Sequence, residues 1–516
     1  MMMKSCLLLL VFNLSWAYCF AQNIIPSPET CVSAKGTYQL RQQIRYRSDF
    51  PDTRWTSYLK ETLLQEAKCR LLETPKGKAD LRFIKDTRLG PEAYTLQIGK
   101  EGIRIDAGSE AGIFYAVQTL RQLMETDSPG KISFPYLRIE DRPRYRLRSF
   151  LLDSGRQYQR VSTIKKYIDM AATLKMNYFH WHLTEGLGWR IEIKKYPRLT
   201  SVGSIAGKGT EQQGYYTQEE IREIVRYAAD RYITVIPEID MPGHAEAALS
   251  AYPEMSCFGE VPEIPEQGFT QNIFCAGKSV TLRFLQDILD EVCSLFPSPY
   301  IHLGGDEAPK ENWNKCPDCQ NKIKKEGLKN SHELQQWFSS QMAAYLKQKG
   351  RKAIFWDDIL DGNDYPLPDN VVVHWWNWRA RKEFPYRKAV ERGYEIICGT
   401  NYYTYLNFPL SPWKGYEANR TFDIRDVYEK NPSMNRDGQQ WVAGMSCALW
   451  TDYGLTEDML DRRLFPRILA IAEQMWHRGE YRTFEVFYQK VRQKQAWFEK
   501  LGFAFGPGLK SEIQHR

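Results

Sequence analysis

The sequence lacks any long apolar run beyond its first 21 residues, and it lacks any block of consecutive Lys and Arg residues. No later segment approaches the ~20 apolar residues that a membrane-spanning helix needs, so we predict no transmembrane segment. The net charge of +7 is spread thinly along the chain, which argues against nucleic acid as a partner. Disorder is excluded as well, because the chain is 43% hydrophobic and contains 15 Trp, 30 Tyr and 24 Phe.

The first 21 residues have a composition of their own. Lys4 precedes an apolar run at residues 6–12, and Ala21 is small, a pattern typical of an export signal. We expect cleavage after Ala21 and therefore a periplasmic or secreted protein. A lipid anchor at Cys19 is disfavoured, because the preceding Tyr18 is bulky where lipoprotein processing requires a small residue.

Cysteine is sparse, and its pattern does not indicate a structural zinc site. Two of the 11 cysteines, Cys6 and Cys19, leave with the signal, and the nine that remain are an odd number for an exported protein. Cys316 and Cys319 form a lone CxxC motif, and the neighbouring sequence offers no obvious further pair of ligands for a structural zinc. We therefore expect a local disulfide or two reduced thiols there.

After the signal (residues 1–21), the pattern predicts a small α+β domain at residues 22–143 and a larger domain at residues 144–516. In the first, residues 93–98 and 102–106 alternate as half-buried strands, while residues 58–72 and 111–124 have helical spacing. Pro143 marks the boundary, because proline disfavours continuation of either element.

The larger domain alternates apolar, strand-like runs with helical patterns. The predicted strands are residues 147–153, 177–183, 233–239, 300–303, 352–356, 371–375, 395–398 and 444–449, and the predicted helices are residues 163–175, 217–231, 281–296, 333–349 and 388–392. Eight βα units in series predict an α/β fold, a closed parallel (β/α)8 barrel of the TIM type with its helices outside.

Active sites of such barrels lie at the C-terminal ends of the strands. The fourth predicted strand ends in two glycines followed by Asp306 and Glu307. Aromatic residues follow the next four strands, namely Trp356, Trp375, Trp376, Tyr405 and Trp450. Aromatic faces beside carboxylates suit a pyranose, whose C–H face stacks while its hydroxyls need hydrogen-bond acceptors. The strand ends therefore predict a sugar-binding pocket.

Several motifs, in this order, resemble the exo-acting β-N-acetylhexosaminidases of glycoside hydrolase family 20. They are LLDSGR at 151–156, FHWHLT at 179–184, GWRIEI at 188–193, PEIDMPGH at 237–244, HLGGDE at 302–307, LWTD at 449–452 and FPR at 465–467. The resemblance covers nearly all of the mature chain, and residues 94–123 look like the small N-terminal domain of that family. It implies a glycan with a terminal β-linked N-acetylhexosamine as the substrate.

The resemblance implies a retaining reaction in which the 2-acetamido group of the substrate is the nucleophile, without a metal or organic cofactor. Neighbours in sequence such as Asp306 and Glu307 cannot flank the scissile bond ~5 to 5.5 Å apart, as two carboxyls with a protein nucleophile do. Glu307 is implied as general acid and base, Asp306 as the acceptor of the acetamido N–H, and Tyr405 as a donor to the acetamido oxygen. The resemblance also implies that aromatic rings line the acetamide and the sugar ring, namely Trp356, Trp450 and one of Trp375 or Trp376. Arg156 is implied to bind the hydroxyls at C3 and C4. Asp240 and His244 are implied to support the acid pair. His244 can equally be a purely structural histidine.

The chain departs from the family pattern at two groups of positions. Glu185-Gly186-Leu187 replaces two aspartates and a glutamine, and Gln157 replaces a histidine, which indicates rewired support of the site. Asn407 and Asp452 stand where the family has an aspartate and a glutamate facing O4 and O6 of the sugar.

The second group concerns specificity. The uncharged Asn407, together with Arg379 just past the sixth strand, suggests the hypothesis that N-acetylglucosamine with a 6-O-sulfate is accepted. The alternative is that Asn407 only replaces one hydrogen-bond acceptor by another and that Arg379 is a solvated surface residue. Two rivals to the exo-enzyme are a disaccharide-releasing relative and a glycan-binding protein that has lost catalysis.

Overall fold

The computed structural model of the chain describes residues 23–205, 213–264, 271–362, 365–410, 421–434, 436–452 and 455–515. The predicted signal at residues 1–21, with Cys19, lies outside these ranges. Among the described helices, none combines the length and the apolar composition required to cross a membrane.

The N-terminal part is a mixed sheet with two helices. Its elements are β1 (Thr30–Arg41), β2 (Gln43–Ser48), α1 (Arg54–Ala67), β3 (Arg70–Glu73), β4 (Leu81–Lys85), β5 (Tyr94–Gly99), β6 (Gly102–Ala107), α2 (Glu110–Leu123), β7 (Glu125–Ser128) and β8 (Lys131–Asp141). The strands lie in the order β1-β8-β5-β6-β4-β2-β3, and β7 pairs with β8. This arrangement confirms the expected α+β unit.

The first helix differs from its prediction at residues 58–72. It begins at Arg54 and ends at Ala67, because Lys68 adopts a left-handed backbone with φ 57° and closes the helix. Arg70–Glu73 then pairs in parallel with β2 as a strand. The predicted extension to residue 72 is therefore wrong.

The larger part alternates strands and helices throughout. Its elements are β9 (Leu147–Asp153), α3 (Val161–Thr173), β10 (Tyr178–His182), β11 (Thr184–Glu185), β12 (Gly188–Trp189), α4 (Arg198–Ser201), α5 (Gln218–Ala229), β13 (Thr234–Glu238), α6 (Glu246–Ala251), α7 (Ser279–Leu295), β14 (Tyr300–His302), α8 (Glu311–Lys315), α9 (Pro317–Lys325), α10 (Ser331–Gln348), β15 (Lys352–Trp356), β16 (Val371–Trp375), α11 (Trp378–Arg381), α12 (Phe384–Glu391), β17 (Glu395–Cys398), α13 (Asn401–Thr404), α14 (Ile424–Lys430), β18 (Val442–Leu449), α15 (Glu457–Leu464), α16 (Arg467–Trp476) and α17 (Phe484–Lys500).

Eight of these strands close a barrel in the order β10-β13-β14-β15-β16-β17-β18-β9, and neighbours in the barrel run parallel. The predicted (β/α)8 barrel is confirmed. The predicted bounds of β9, β15, β16 and β17 agree with the structure residue for residue. The predicted helix at 217–231 begins with a capping box, in which the side chains of Thr217 and Glu220 each accept from the other's backbone N–H.

The interior of the barrel is layered. An apolar floor consists of Leu147, Ile236, Tyr300, Ile354, Val372, Ile397 and Ala443. Nearer the C-terminal ends of the strands lies a second cluster, formed by Leu151, Trp356, Ala448 and Trp450. Residues alternate in direction along each strand, so these side chains point inward while their neighbours pack against the outer helices. The floor therefore supports the rim on which the functional residues lie.

Buried ion pairs join the N-terminal part to the barrel. Lys175 Nζ lies 2.9 Å from Asp141 Oδ2, and both side chains are fully buried. Trp476 Nε1 also donates to Asp141, at 3.0 Å. Arg148 in β9 pairs with Glu92 at 2.8 Å. Removing one partner of such a pair would leave a buried charge uncompensated, so the two parts are held in one arrangement.

Candidate active site

The acid pair Asp306 and Glu307 lies at the end of β14, where the strand gives way to a tight turn. Gly304 has a φ of 62°, and a Cβ at that position would lie 1.8 Å from Asp240 Oδ1. Only glycine satisfies both the left-handed backbone and the contact. Glu307 itself has a φ of 48°, which is uncommon for a residue with a side chain and typical of functional sites. The turn thus directs both carboxylates into the rim.

Asp306 and Asp240 form a pair of neighbouring carboxyl groups. The backbone N–H of Gly305 donates to Asp240 Oδ1 at 3.1 Å, and the N–H of Asp240 donates to Thr184 Oγ1 at 2.9 Å. Burial, followed by the charge of Asp306, raises the pKa of Asp240 well above its ordinary value. Asp306 Oδ1 is buried and has no hydrogen-bond partner among the residues that the structure describes. A buried acceptor without a donor is costly, so this oxygen is prepared for a donor from a ligand.

Glu307 has the environment of a general acid. Its side chain is 41% exposed, so a substrate can reach it. Burial of part of the carboxyl, together with the charge of Asp306, raises its pKa. Its backbone N–H lies 3.5 Å from Asp358 Oδ1. A raised pKa keeps a carboxylic acid protonated nearer neutral pH, as proton donation requires.

Behind the acid pair, Glu185 joins two cations. Glu185 Oε1 lies 2.8 Å from His244 Nδ1, and Oε2 lies 3.2 Å from the Arg156 guanidinium. The other ring nitrogen of His244 lies 3.6 Å from Asp306 and 3.7 Å from Glu307. Burial disfavours the charged imidazole, but Glu185 and Asp306 more than offset this effect and raise the pKa of His244 well above its usual range. His244 therefore lies between the acid pair and Glu185 as a cation.

This arrangement explains the departure from the family pattern at residue 185. The sequence analysis counted Glu185 among the replacements that indicate rewired support of the site, and the structure places it directly behind the acid pair. Arg156 also pairs with Asp153 at 3.0 Å and lies over the Trp450 ring, 5.2 Å from its centroid. The predicted residues Arg156, Asp240 and His244 are thus brought together in one network with the acid pair.

Aromatic side chains form the walls beside the acid pair. Trp356 and Trp450 belong to the upper cluster of the barrel, and Trp376 and Tyr405 pack against it. The rings of Trp376 and Tyr405 are nearly parallel, with centroids 6.3 Å apart. Trp376 Nε1 donates to Asp358 Oδ2 at 2.7 Å, and Trp356 Nε1 donates to Glu238 Oε1 at 2.9 Å. These hydrogen bonds fix the planes of the walls.

Of the two tryptophans that the sequence offered as alternatives, Trp376 joins this wall and Trp375 does not. Trp375 is fully buried, its indole N–H donates to the Lys382 carbonyl, and it packs against Tyr386 at 5.1 Å. The physical reason is strand alternation, which turns Trp375 outward toward the helices. The placement of Trp375 in the pocket is corrected accordingly.

Asn407 and Asp452, the two positions expected to affect specificity, are hydrogen-bonded to each other. Asn407 Nδ2 donates to Asp452 Oδ1 at 2.9 Å, and Asn407 is almost fully buried. Burial raises the pKa of Asp452, while Arg156 and Asn407 oppose that effect. Arg379 lies on α11 with an exposed side chain, and its backbone N–H donates to Asn401. Asn407 and Asp452 therefore act as one polar unit at the end of the pocket nearest Arg156.

A polar layer that the sequence analysis missed lies beneath the walls. Glu238 is fully buried and lies 2.7 Å from His182, 2.8 Å from His180 and 3.1 Å from His302. Burial alone would raise the pKa of Glu238, but the three imidazoles lower it well below its usual range. The histidines belong to two separate motifs, FHWHLT at 179–184 and HLGGDE at 302–307, and nothing in the sequence marked them as one group. The three histidines fix the Glu238 carboxylate, which accepts the hydrogen bond from the Trp356 indole N–H.

Three groups of largely buried side chains have the ligand types and spacing of metal sites: Asp240, His244 and Asp306; His180, His302 and His374; and Cys257, Cys275, Cys316 and Cys319. The first group is explained by the network around the acid pair, and the second by the layer around Glu238. The third corrects the sequence analysis, because the CxxC motif has two further cysteines beside it that come from a distant part of the sequence.

Comparison with known families agrees with this geometry. The model of "Glycosyl hydrolase family 20, catalytic domain" matches residues 145–479, and that of "Glycosyl hydrolase family 20, domain 2" matches residues 21–142. The chain belongs to glycoside hydrolase family 20. The resemblance read from the motifs is confirmed, as is the expectation of a glycoside hydrolase at the level of the family.

Relatives of this family resemble the chain over most of its length. A β-N-acetylhexosaminidase from Bacteroides fragilis is 56% identical, with a TM-score of 0.90 over 95% of this chain and 98% of that one. A β-hexosaminidase from Porphyromonas gingivalis is 40% identical over 81% of this chain, which spans only 55% of that relative's length. A mutant β-hexosaminidase from Streptomyces plicatus, in complex with the product N-acetylglucosamine, is 28% identical, with a TM-score of 0.81 over 95% of this chain and 98% of that one.

Proposed function

We propose that this chain is an exo-acting β-N-acetylhexosaminidase that releases terminal β-linked N-acetylglucosamine or N-acetylgalactosamine with retention of configuration. The observation that carries the proposal is the buried Asp306 Oδ1, which has no hydrogen-bond partner in the described part of the chain, beside the half-exposed Glu307, whose pKa is raised. An acceptor for an N–H and a proton donor, side by side between aromatic walls, match the acetamido group and the leaving oxygen of such a sugar.

In the first step, Glu307 transfers its proton to the glycosidic oxygen while the bond from that oxygen to C1 breaks. The acetamido oxygen attacks C1 from the opposite face and forms an oxazolinium ring. Asp306 accepts the acetamido N–H and so increases the electron density on the attacking oxygen. Tyr405, whose pKa burial and the charge of Asp306 raise well above its ordinary value, remains a protonated donor to that oxygen.

In the second step, the Glu307 carboxylate takes a proton from water, and the water oxygen attacks C1 as the oxazolinium ring opens. Two inversions at C1 give net retention. His244 lies 3.7 Å from Glu307 and is held as a cation by Glu185, so it stabilises the carboxylate that exists between the steps. Glu307 is left protonated and ready for the next cycle.

The other end of the pocket supports removal of a terminal sugar. Arg156, held by Asp153 and Glu185, presents a guanidinium beside Trp450 and the Asn407–Asp452 unit. These groups suit the hydroxyls at C3, C4 and C6 of a sugar whose C1 lies at Glu307.

A comparison of aryl N-acetyl-β-glucosaminide with the matching aryl β-glucoside tests the proposal. We expect turnover of the first and almost none of the second, because only the first has the nucleophile. A thiazoline mimic of the oxazolinium ring should inhibit strongly. Binding of the sugar without turnover would establish a glycan-binding protein instead, and release of disaccharide from defined oligosaccharides would establish the disaccharide-releasing alternative. A sugar covalently attached to a carboxylate of the chain would refute the mechanism.

Tolerance of a 6-O-sulfate is a separate proposal. The Asn407 amide that would approach a sulfate already donates to Asp452, and a carboxyl group lies next to it. Of the residues in this hypothesis, Arg379 has the positive charge that would suit a sulfate, and its side chain is exposed on α11. The measurement is kcat/KM for plain and 6-sulfated aryl N-acetylglucosaminides. A preference of ~100-fold for the plain sugar, or about 2.7 kcal/mol, would leave sulfate tolerance without support.

Export remains a proposal from the sequence of residues 1–21. Lys4, the following apolar run and Ala21 support it. N-terminal sequencing of the protein from the cell envelope or medium is expected to begin at Gln22, and an intact Met1 on cytoplasmic protein would contradict it.

A further inference from the structure

Four buried cysteines converge from two neighbouring loops at the rim of the barrel. Cys257 and Cys275 lie in the segment between β13 and α7, and Cys316 and Cys319 follow β14. The Sγ–Sγ distances are 3.9 Å for Cys257 and Cys319, 3.8 Å for Cys275 and Cys316, and 3.5 Å for Cys275 and Cys319. All four sulfur atoms lie within 4.8 Å of one another.

These distances are those of a tetrahedral metal site. With a Zn–S bond of ~2.3 Å, the sulfurs of a tetrahedral site with four cysteine ligands are about 3.8 Å apart. Cys319 and Cys275 each have two close partners, so the contacts run from Cys257 through Cys319 and Cys275 to Cys316. Two disulfides would instead draw the sulfurs into two separate pairs.

The CxxC motif lies at the start of a helix, and backbone N–H groups surround its partner Cys275. Cys316 is the N-cap of α9, with Pro317 as the first helical residue, and Cys319 lies in the first turn. The partial positive charge of this helix N-terminus lies where a zinc tetrathiolate complex would carry negative charge. The backbone N–H groups of Gly277 and Lys278 donate hydrogen bonds to the sulfur of Cys275. Backbone N–H donors of this kind are typical second-layer support for a metal-bound ligand.

The backbone of the segment bearing Cys275 closely approaches that of the CxxC motif. A Cβ at Gly277 would lie 2.3 Å from the carbonyl carbon of Asp318 and 2.4 Å from the N atom of Cys319. Glycine is therefore required where the segment bearing Cys275 passes the CxxC motif. Trp313 adds a second link, because its indole N–H donates to the Phe274 carbonyl at 3.1 Å.

We propose that Cys257, Cys275, Cys316 and Cys319 bind one Zn²⁺ as a structural site. Binding releases four protons from four thiols and leaves a tetrathiolate complex of charge −2. Four protein ligands fill the tetrahedron, so the ion has no open position for catalysis. Its role is mechanical: Cys316 lies nine residues after Glu307, and the ion joins the loop that carries the acid pair to the loop after β13.

The test is the metal and thiol content of the full mature chain, purified without added metal or chelator. We expect about one zinc per chain by inductively coupled plasma mass spectrometry. Thiol titration in denaturant should gain four reactive thiols when a chelator is present. Reconstitution with Co²⁺ should give the intense visible absorption of a tetrahedral tetrathiolate, a readout that needs no variant. Zinc removal should lower the melting temperature by roughly 5 to 10 °C.

Cys319→Ser is expected to lower the zinc content below half, whereas the matched control Cys293→Ser, outside the cluster, should retain it. The competing state is two disulfides, because disulfides persist in exported proteins. It would appear as metal-free protein whose mass is four hydrogens lower than that of the fully reduced chain. That result would overturn the proposal. Metal-free protein with four titratable thiols, unable to bind Co²⁺, would overturn it as well.

Discussion

Replacing Glu185 by Gln tests how the site is held, because this residue links both cations to the acid pair. The substitution keeps the shape of the side chain and removes its charge. His244 loses its charged partner at 2.8 Å, and Arg156 loses one at 3.2 Å while keeping Asp153. Arg156 therefore stays in place, and the main consequence falls on His244, between Asp306 and Glu307.

The magnitude follows from the contact that is lost. A hydrogen bond to a charged group contributes ~1.5 to 3 kcal/mol, so kcat/KM should fall by roughly 10- to 150-fold. Glu185 is the main group that raises the pKa of His244, and without it that pKa falls. A group whose pKa is raised in the folded state stabilises the protein at low pH, and this stability is lost as the pH rises through the raised pKa. The variant therefore loses the proton of His244, and the associated stability, at a lower pH than the wild type does.

The assay is the pH dependence of kcat/KM for Glu185→Gln and the wild type, with Glu219→Gln as a control because Glu219 is 71% exposed. The ratio of variant to wild type should be highest at acid pH, where His244 is protonated in both proteins, and should fall as the pH rises, because His244 of the variant loses its proton at lower pH than that of the wild type. Histidine NMR should show the lowered pKa directly. A loss smaller than about threefold, or a loss that is the same at every pH, would refute the reasoning.

Three further substitutions test the acid, the turn and the wall. Glu307→Gln should cost ~10²- to 10⁴-fold on substrates with poor leaving groups and less on aryl glycosides with acidic ones, and equal losses across a leaving-group series would remove the assignment. Gly304→Ala should abolish most activity and lower stability by more than Gly327→Ala does, because both glycines have positive φ but only Gly304 faces an atom at 1.8 Å; equal effects in thermal melts would contradict this. Trp376→Ala should lower kcat/KM by about 10-fold or more with little change in melting temperature, whereas Trp375→Ala should cost ~3 to 5 kcal/mol of stability, and the reverse pattern would exchange their roles.

The sequence by itself determined the barrel and the location of the acid pair. Alternation of apolar strands with amphipathic helices is a local property, since each element must bury one face whatever surrounds it. The position of Asp306 and Glu307 directly after a strand then placed them at the rim, because strand ends of a parallel barrel meet at one edge. Strand alternation implies that Trp375 and Trp376 face opposite sides of the barrel wall. It does not say which of the two faces the pocket unless the orientation of one residue of the strand is already known.

Only the tertiary structure decided which distant residues share a contact. Glu185 and His244 are 59 residues apart, and Asn407 and Asp452 are 45 apart, yet each pair is joined by a hydrogen bond. The CxxC motif likewise meets Cys257 and Cys275 only because β13 and β14 are neighbours in the barrel. Charge compensation and ligand geometry depend on distance in space, and a linear pattern records only distance along the chain. For this reason the sequence named the acids and several of their supporting residues, but not the contacts that join them.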